Sequence, residues 1–237
     1  VDLIQNSSYD EVRKVIDNAL NLGTDNNFGH NFVKDFELRY EIKARNPIST
    51  GWDKIDALTK KGLGSGELGV VIAPTGAGKS MVLSHLGSQA VKAGKNVIHY
   101  TLELSESVTG QRYDSCISGV PLSQLFQEKD QVLETISDID GTLIIKEYPT
   151  KTASTNTIRA HLEKLKKRNK KINMILVDYA DLLRSTTNFR EKRDELGSIY
   201  EDLRAIAQEY KCPVWTASQT NRTGLNAEVV TMESISE

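Results

Sequence analysis

The amino-acid sequence predicts an α/β fold with a mostly parallel central sheet and helices on both faces of that sheet. Five short apolar runs rich in Val and Ile alternate with longer segments of helical periodicity, a pattern typical of parallel strands buried on both faces. A glycine-rich turn also joins the first apolar run to the first long helix. In such sheets ligands bind beyond the carboxyl ends of the strands, so we expect the functional residues there.

The predicted elements follow one another from residue 68 onward. A separate amphipathic helix is expected before them at 12–20, where apolar residues recur at helical spacing, followed by a polar linker at 24–31. This short helix cannot bury its apolar stripe alone, so it needs either its own domain or another chain. We expect strands at 68–73, 96–103, 142–148, 173–178 and 213–218 and helices at 79–93, 107–119, 155–168 and 194–210.

The composition limits the class of protein. The 237 residues are 38% hydrophobic and 26% charged, the balance of one globular α/β domain with at most a small additional segment. The net charge of -2 provides no overall attraction to DNA or membranes, so nucleic-acid binding requires a local patch. No apolar run has the length of a membrane span. Cys116 and Cys212 lack metal-ligand spacing and are expected to stay thiols in a reducing cytoplasm.

The stretch APTGAGKS at 73–80 has the spacing of a phosphate-binding loop, with alanine in the first place where glycine is commonest. Gly76 and Gly78 allow successive backbone N–H groups to face an anion, and the following helix N-terminus adds a partial positive charge. The ammonium of Lys79 is expected to reach the β- and γ-phosphates of ATP, and the Ser80 hydroxyl to bind Mg²⁺. The predicted nucleotide-binding residues are Pro74, Thr75, Gly76, Ala77, Gly78, Lys79, Ser80 and Met81.

Polar residues at the ends of three other apolar runs complete the predicted site. Asp178 closes a buried run, where a carboxylate needs a positive partner, and binding Mg²⁺ through water beside Ser80 supplies one. Glu103 closes another run and is the expected base that activates a water molecule; the nearby Glu106 is the competing candidate. Gln219 ends the last run, where its side chain can hydrogen-bond the γ-phosphate. The predicted catalytic residues are therefore Lys79, Glu103 and Gln219.

Two segments after strand ends are candidates for binding single-stranded DNA through its phosphates. The first, at 184–195, contains Arg184, Arg190, Lys192 and Arg193, and the second contains Arg222. The alternative interpretation of the first segment is a hydrated loop whose charges precede a helix. The basic run at 164–171 ends a helix, and we interpret it as a hydrated helix face rather than a binding site.

Taken in order, APTGAGKS, YTLELSE, ILVDYADLL and WTASQTNR resemble the RecA-like motor domain of hexameric replicative helicases of the DnaB family, and the phage T4-type branch in particular. The segments ISTGWDKIDALTKKGLGSGEL and IKEYPTKTASTNTIRAHLEKL extend the resemblance over about four-fifths of the chain. Residues 1–30 resemble the interdomain linker helix of that family. The expected division is a linker segment at 1–43 and a RecA-like P-loop ATPase domain at 44–237.

The resemblance implies properties that the residues alone do not. The strand with Gln219 would lie between the strands that lead to Lys79 and Asp178. ATP would bind between subunits of a homo-oligomeric, hexameric ring, and its hydrolysis with Mg²⁺ would drive movement on single-stranded DNA. The 12–20 helix would dock on an adjacent subunit, and primase and other replisome proteins would be partners in the cytoplasm, that of the bacterial host for a phage protein. Arg112 matches a position near the adenine, although a surface arginine on a helix is an equal interpretation.

The sequence also departs from the family pattern. Lys61 stands where the family usually has a glycine, which questions the geometry of that turn. The arginine finger that the family supplies from a neighbouring subunit, and the last strands of the domain, would lie beyond Glu237, so we expect weak ATPase activity and no unwinding from these residues alone. Two alternatives remain: a KaiC-like regulatory ATPase that does not move on DNA, and a small-molecule P-loop kinase.

Overall fold

The computed structural model describes residues 29–40, 45–187 and 189–220. The chain divides into two compact units, Val1–Ala44 and Arg45–Glu237. In the first unit the described residues contain helix α1 (Phe36–Tyr40), which the sequence analysis did not predict. The predicted helix at 12–20 lies outside the described residues and stays a prediction. None of the described helices is long and apolar enough to cross a membrane.

The second unit is built on a five-stranded parallel sheet of order β1-β5-β4-β2-β3. The Gln219 strand β5 therefore lies between β1 and β4, as the family resemblance implied. The strands are β1 (Leu68–Ala73), β2 (Asn96–Thr101), β3 (Thr142–Glu147), β4 (Met174–Asp178) and β5 (Val214–Gln219). The helices of this unit are α2 (Asp53–Leu58), α3 (Lys79–Lys92), α4 (Glu106–Ser118), α5 (Lys129–Ser137), α6 (Thr155–Lys167) and α7 (Lys192–Tyr210). Short 3₁₀ turns lie at Leu122–Gln124 and Ala180–Leu182.

Helices cover both faces of the sheet, which confirms the predicted α/β class. Because successive side chains of a strand point to opposite faces, Ile175 and Val177 of β4 pack in the core under α6 and α7. Met174 and Leu176 of the same strand pack in a second core under α3 and α4. Every residue of β4 is buried, so its near-continuous apolar run reflects burial on both sides rather than one-sided alternation.

Several predicted boundaries were wrong by one or two residues. Strand β2 ends at Thr101 rather than at residue 103, and α7 begins at Lys192 rather than at 194. The Thr101 hydroxyl is a cause of the early end of β2, since it donates to the Leu104 carbonyl at 2.8 Å and accepts from the Leu104 N–H at 3.1 Å, which turns the chain. Helices α2 and α5 were not predicted, because each is short and has few apolar residues.

The turn that precedes β1 keeps its left-handed geometry without the glycine that the family usually has. Lys60, Lys61 and Gly62 have φ angles of 55°, 75° and 100°, of which only the last requires glycine on steric grounds, since a Cβ on Gly62 would lie 1.8 Å from the Ile48 carbonyl oxygen. Arg45 fastens this turn. Its guanidinium donates to the carbonyl oxygens of residues 59, 60 and 62 at 2.8–2.9 Å and forms a bidentate pair with Glu67.

Candidate active site

The predicted phosphate loop lies between the end of β1 and the first turn of α3. Gly76 and Gly78 have φ angles of 78° and 90°. A Cβ at either position would meet open space, so these glycines are required by the left-handed backbone rather than by crowding. Gly78 is the N-cap of α3, and the exposed backbone of residues 75–77 stands in front of the helix N-terminus. This arrangement presents N–H groups and the helix dipole to an anion.

Lys79, the first residue of α3, directs its ammonium back across the loop. The Nζ atom donates to the carbonyl oxygens of Ala73 at 3.0 Å and Pro74 at 2.9 Å. It also lies 5.7 Å from the centre of the Tyr179 ring, which is within the range of a cation–π contact. The ammonium is therefore positioned at the loop by neutral partners, which a phosphate group would outcompete because it carries full negative charge.

Ser80 and Asp178 meet at the carboxyl end of β4. The Ser80 hydroxyl donates to the Asp178 Oδ1 atom at 3.1 Å, and only 1% of Asp178 is exposed. Burial is the largest effect on the pKa of Asp178 and raises it, and the negative charge of Glu103 raises it further. The hydrogen bond from Ser80 and the positive charges of Arg112 and Lys79 act in the opposite direction and lower it. A buried carboxylate that is costly to ionise without a cation fits a metal-binding role.

The oxygen atoms of Ser80 and Asp178 are the hard ligands that Mg²⁺ prefers. The described residues contain no group of three or more His, Cys, Asp or Glu side chains able to hold a metal ion. That finding is compatible with Mg²⁺, which is usually bound by one or two protein groups together with water and substrate phosphates. These two residues fit the predicted ion, which would neutralise charge on the phosphates when bound.

Gln219 reaches the phosphate loop from the neighbouring strand. The parallel register of β1 and β5 places Ala73 opposite Gln219. Its side-chain amide donates a hydrogen bond to the Thr75 hydroxyl in the loop, and its backbone N–H donates to Asp181 at 3.1 Å. The structure therefore brings Gln219 together with the loop, as expected for a side chain that contacts the last phosphate of a nucleotide.

Glu103 lies in a bend after β2, and the prediction that it ends the strand was wrong. Its side chain is exposed, but its charge raises the pKa of Asp178 and Tyr179, which places it on the side of the site occupied by those two residues. Glu106 is engaged elsewhere. Its carboxylate accepts the Glu147 N–H at 3.0 Å and pairs with Lys146 at 3.5 Å, and the first of these contacts lowers the pKa of Glu106. Because Glu106 is bound to β3, Glu103 stays the candidate base.

Comparison with known proteins shows the family of this chain. The family model described as DnaB-like helicase C-terminal domain matches residues 47–228. The chain belongs to this family. A DnaB-like replicative helicase of Enterobacteria phage T4 is 30% identical over 234 residues, covering 92% of this chain and 49% of that protein. The replicative DNA helicase DnaB of Helicobacter pylori (strain J99) is 23% identical over 217 residues, covering 90% of this chain and 42% of that protein.

Solved structures support the same fold. A DnaB-like replicative helicase, solved in a study of its interactions with primase, has a TM-score of 0.69 at 16% identity, covering 99% of this chain and 60% of that one. A separately solved ATPase domain has a TM-score of 0.68 at 14% identity, covering 97% of this chain and 78% of that one. The DnaB-like chain described here spans about half the length of the curated relatives it matches.

Arg112 of this DnaB-like domain lies on α4, half-buried. Its positive charge lowers the pKa of both Asp178 and His99, so the guanidinium is on the side of the site where β4 ends. The predicted contact between Arg112 and adenine stays a prediction.

The candidate DNA-binding residues of the domain lie where β4 is followed by α7. Arg190 precedes the helix, and Lys192 and Arg193 form its first turn rather than part of a loop as predicted. All three side chains are exposed. An open cavity of about 630 Å³ is lined by residues of the same part of the chain but not by these three: its lining is Arg184, Phe189, Asn156, Glu195 and the hydroxyl side chains at 154 and 185–187. Arg222 lies outside the described residues.

Asp181 was missed by the sequence analysis. It lies in the 3₁₀ turn Ala180–Leu182, and its carboxylate accepts hydrogen bonds from the Gln219 N–H, the Ser218 hydroxyl and the Tyr200 hydroxyl. The available signal was a second acid three positions after Asp178 in the segment DYADLL. Only Asp178 stands at the end of a strand, so a pattern of acidic residues at strand ends does not include Asp181.

Proposed function

We propose that this chain is the motor domain of an ATP-dependent replicative DNA helicase, which hydrolyses ATP with Mg²⁺ to move on single-stranded DNA and unwind duplex DNA. The observation that carries the proposal is the convergence of Lys79, Ser80, Asp178 and Gln219 at one edge of the sheet in a DnaB-like domain. Phosphate binding, metal binding and contact with the last phosphate are then available within one site.

The proposed roles follow from where each group lies. The loop N–H groups and the Lys79 ammonium bind and orient the β- and γ-phosphates. Ser80 and Asp178 hold Mg²⁺, the latter through water. Glu103 accepts a proton from the attacking water, and Gln219 hydrogen-bonds the γ-phosphate, so that its position depends on whether that phosphate is present.

The first experiment measures nucleotide binding and ATP hydrolysis with and without single-stranded DNA at low salt. Lys79→Ala is expected to abolish nucleotide binding, whereas Glu103→Gln is expected to preserve binding and lower turnover at least about a hundredfold. Glu106→Gln is the matched control, because its carboxylate is bound to β3 instead. Normal turnover in Glu103→Gln would move the base to another residue. Hydrolysis that DNA does not stimulate would favour a regulatory ATPase over a helicase.

Binding of single-stranded DNA is proposed for Arg190, Lys192, Arg193 and Arg222. The exposure of the first three supports this surface. Replacing those three with Ala is expected to weaken oligonucleotide binding and to lower the salt slope by about 0.7 for each phosphate that the variant no longer neutralises. Lys166, Lys167 and Lys170, exposed at the opposite end of the sheet, provide a matched triple-Ala control of equal charge. Equal weakening in the two triple variants would leave no support for a specific DNA surface.

Assembly into a homo-oligomeric, hexameric ring is also proposed. Three large apolar side chains between 122 and 133 are exposed, with Phe126 at 93%, Leu133 at 63% and Leu122 at 47%, which fits a surface covered by a second copy of the chain. Phe126→Asp is expected to shift the mass measured by light scattering toward the monomer in the presence of Mg²⁺ and ATP. Binding to a primase, a partner named for the solved DnaB-like helicase, is proposed for the assembled ring and is tested by co-sedimentation.

A further inference from the structure

Asp181 connects three structural elements through one carboxylate. Its Oδ1 atom accepts the Tyr200 hydroxyl at 2.7 Å, and its Oδ2 atom accepts the Gln219 N–H at 3.1 Å and the Ser218 hydroxyl at 3.3 Å. The turn that carries Asp181 is itself fastened to β5, because the Ala180 N–H donates to the buried Thr216 hydroxyl at 3.0 Å. The carboxylate is therefore held in place and in turn fixes the last two residues of β5.

The hydrogen bond from Gln219 to Asp181 holds the backbone from which the Gln219 side chain extends. At Gln219, strand β5 is still paired with Ala73 of β1, but its pairing with β4 ends at Thr216, so on that side the Gln219 N–H donates to the Asp181 carboxylate instead. The amide at the other end of the same side chain contacts Thr75 in the phosphate loop. If Asp181 could not accept the Gln219 N–H, the backbone would lose the hydrogen bond that aims the side chain at the loop.

The Tyr200 hydrogen bond extends the connection to α7. Burial raises the pKa of Tyr200, and the charge of Asp181 raises it further, so the hydroxyl stays protonated and donates to the carboxylate. Tyr200 is part of α7, the helix whose first turn contains Lys192 and Arg193. Elsewhere α7 is bonded to α6, through Asp202 to Thr155 and through Tyr210 to Glu163.

We propose that Asp181 is a positioning residue that holds Gln219 at the phosphate loop and, through Tyr200, links that glutamine to helix α7 and the basic residues at its start. The proposal rests on the proposed function, in which Gln219 contacts the γ-phosphate. It goes further by assigning a residue through which the nucleotide site and the candidate DNA surface affect each other.

The first test compares affinities for a non-hydrolysable ATP analogue and for ADP, both with Mg²⁺, by competition against a fluorescent nucleotide. Asp181→Asn keeps the size of the side chain but removes its charge and one of its two acceptor oxygens, so it cannot accept all three hydrogen bonds that the carboxylate accepts. It is expected to lower the preference for the ATP analogue over ADP about tenfold, since hydrogen bonds to charged groups have that order of effect, while ADP affinity stays within about twofold. Asp202→Asn, the same change on α7, is expected to leave both affinities within about twofold.

A double variant separates positioning from general destabilisation. Gln219→Ala is expected to reduce the ATP preference as much as Asp181→Asn does, and combining the two is expected to add nothing, because both substitutions remove the same interaction with the nucleotide. Additive effects, or equal weakening of ATP-analogue and ADP binding in Asp181→Asn, would overturn the positioning role. A wild-type protein that binds neither nucleotide would instead refute the proposed function.

The link to α7 is tested by the effect of a single-stranded oligonucleotide on affinity for the ATP analogue at low salt. Binding at two coupled sites is reciprocal, so DNA is expected to raise this affinity in the wild type about fivefold or more. Tyr200→Phe is expected to remove most of that increase. Tyr210→Phe, which breaks a tyrosine–carboxylate bond on the same helix at 2.8 Å, is expected to retain it. A full increase in Tyr200→Phe, or none in the wild type, would overturn the link.

Discussion

Ser80 and Asp178 lie 98 positions apart in the chain, yet the Ser80 hydroxyl donates a 3.1 Å hydrogen bond to the Asp178 carboxylate. The first residue after Lys79 in α3 and the last residue of β4 thus form one pair of oxygen ligands. Because one of the two is a buried carboxylate, the pair has consequences both for the binding of a cation and for the stability of the protein without one.

Removal of Mg²⁺ is expected to weaken ATP binding to the wild type much more than to the Asp178→Asn variant. The neutral amide can still accept the Ser80 hydrogen bond, but it lacks the charge that attracts the ion. We expect the ratio of the ATP affinity in Mg²⁺ to the ATP affinity in EDTA to be at least about tenfold smaller for Asp178→Asn than for the wild type, as measured by isothermal titration calorimetry. Asp202→Asn is the control. An unchanged ratio in Asp178→Asn would place the metal elsewhere.

The same Asp178→Asn substitution is expected to make the nucleotide-free protein at least as stable as the wild type at pH 7. Burial raises the pKa of Asp178 in the folded state, so its contribution to stability is full below the unfolded-state pKa and is lost as the pH rises through the folded-state value. The charged form of Asp178 therefore costs folding free energy that a neutral amide does not. Thermal unfolding of both proteins at pH 7 measures this, and a clearly lower Tm for Asp178→Asn would contradict it.

Acid is expected to destabilise the protein through His99. This side chain is fully buried on β2, and its Nδ1 atom contacts the Tyr113 hydroxyl at 2.8 Å. Burial, assisted by the charge of Arg112, lowers the pKa of His99 to about 3. Between that value and the unfolded-state pKa, only the unfolded chain binds the proton, so stability is present above the unfolded-state pKa and falls as the pH decreases.

The expected decrease from His99 between pH 7 and pH 5 is about 2 kcal/mol of unfolding free energy. Urea unfolding at the two pH values measures it. His99→Gln is the comparison, because its neutral side chain should show a pH-induced decrease smaller by that amount whatever its absolute stability. His85 and His161 also have lowered pKa values, but they contribute equally to both proteins. Identical pH slopes would contradict a buried neutral His99.

Arg45→Lys is expected to destabilise the domain by about 1–2 kcal/mol, even though it preserves the charge. The planar guanidinium bonds three carbonyl oxygens of the 59–62 turn and both oxygens of Glu67 at once, a pattern that one ammonium cannot reproduce. Chemical unfolding provides the measurement. Arg168→Lys makes the same change at an exposed position and is expected to alter stability by less than about 0.5 kcal/mol. Equal changes in unfolding free energy for the two variants would contradict a specific role of the Arg45 guanidinium in stabilising this turn.

Lys61→Gly is expected to stabilise the protein by about 0.5–1 kcal/mol. Glycine removes the energetic cost of a left-handed backbone conformation in the folded state, and we expect this gain to exceed the stabilisation that the extra conformational entropy of glycine gives to the unfolded chain. Lys61 has a φ of 75°, and its side chain is exposed. Lys61→Ala removes the same side chain but keeps the unfavourable φ, so it should not stabilise. A gain in Tm shared by Gly and Ala would instead indicate that the charge, not the backbone, was unfavourable.

Much of the fold followed from local patterns in the sequence. All five strands were predicted within a few residues. For the mostly buried strands β2, β4 and β5 the reason is that a strand buried on both faces needs an apolar run of β-branched residues whatever covers it. The phosphate loop was equally evident, since Gly76 and Gly78 are required by their own φ angles and Lys79 by its distance from them along the chain. These features depend on neighbours in sequence, so the sequence by itself determined them.

The tertiary structure decided which strand ends meet. Periodicity shows which face of a strand is buried but not which strand lies beside it, so the register that places Gln219 opposite Ala73 was not available from the pattern. The choice between Glu103 and Glu106 likewise depended on β3, whose backbone binds Glu106. In the sequence Asp181 looks like an ordinary acidic residue of a turn, whereas in the structure its carboxylate bonds both β5 and α7. Hydrogen bonds between distant segments form only once the sheet order is set, and that order is a property of the packed domain.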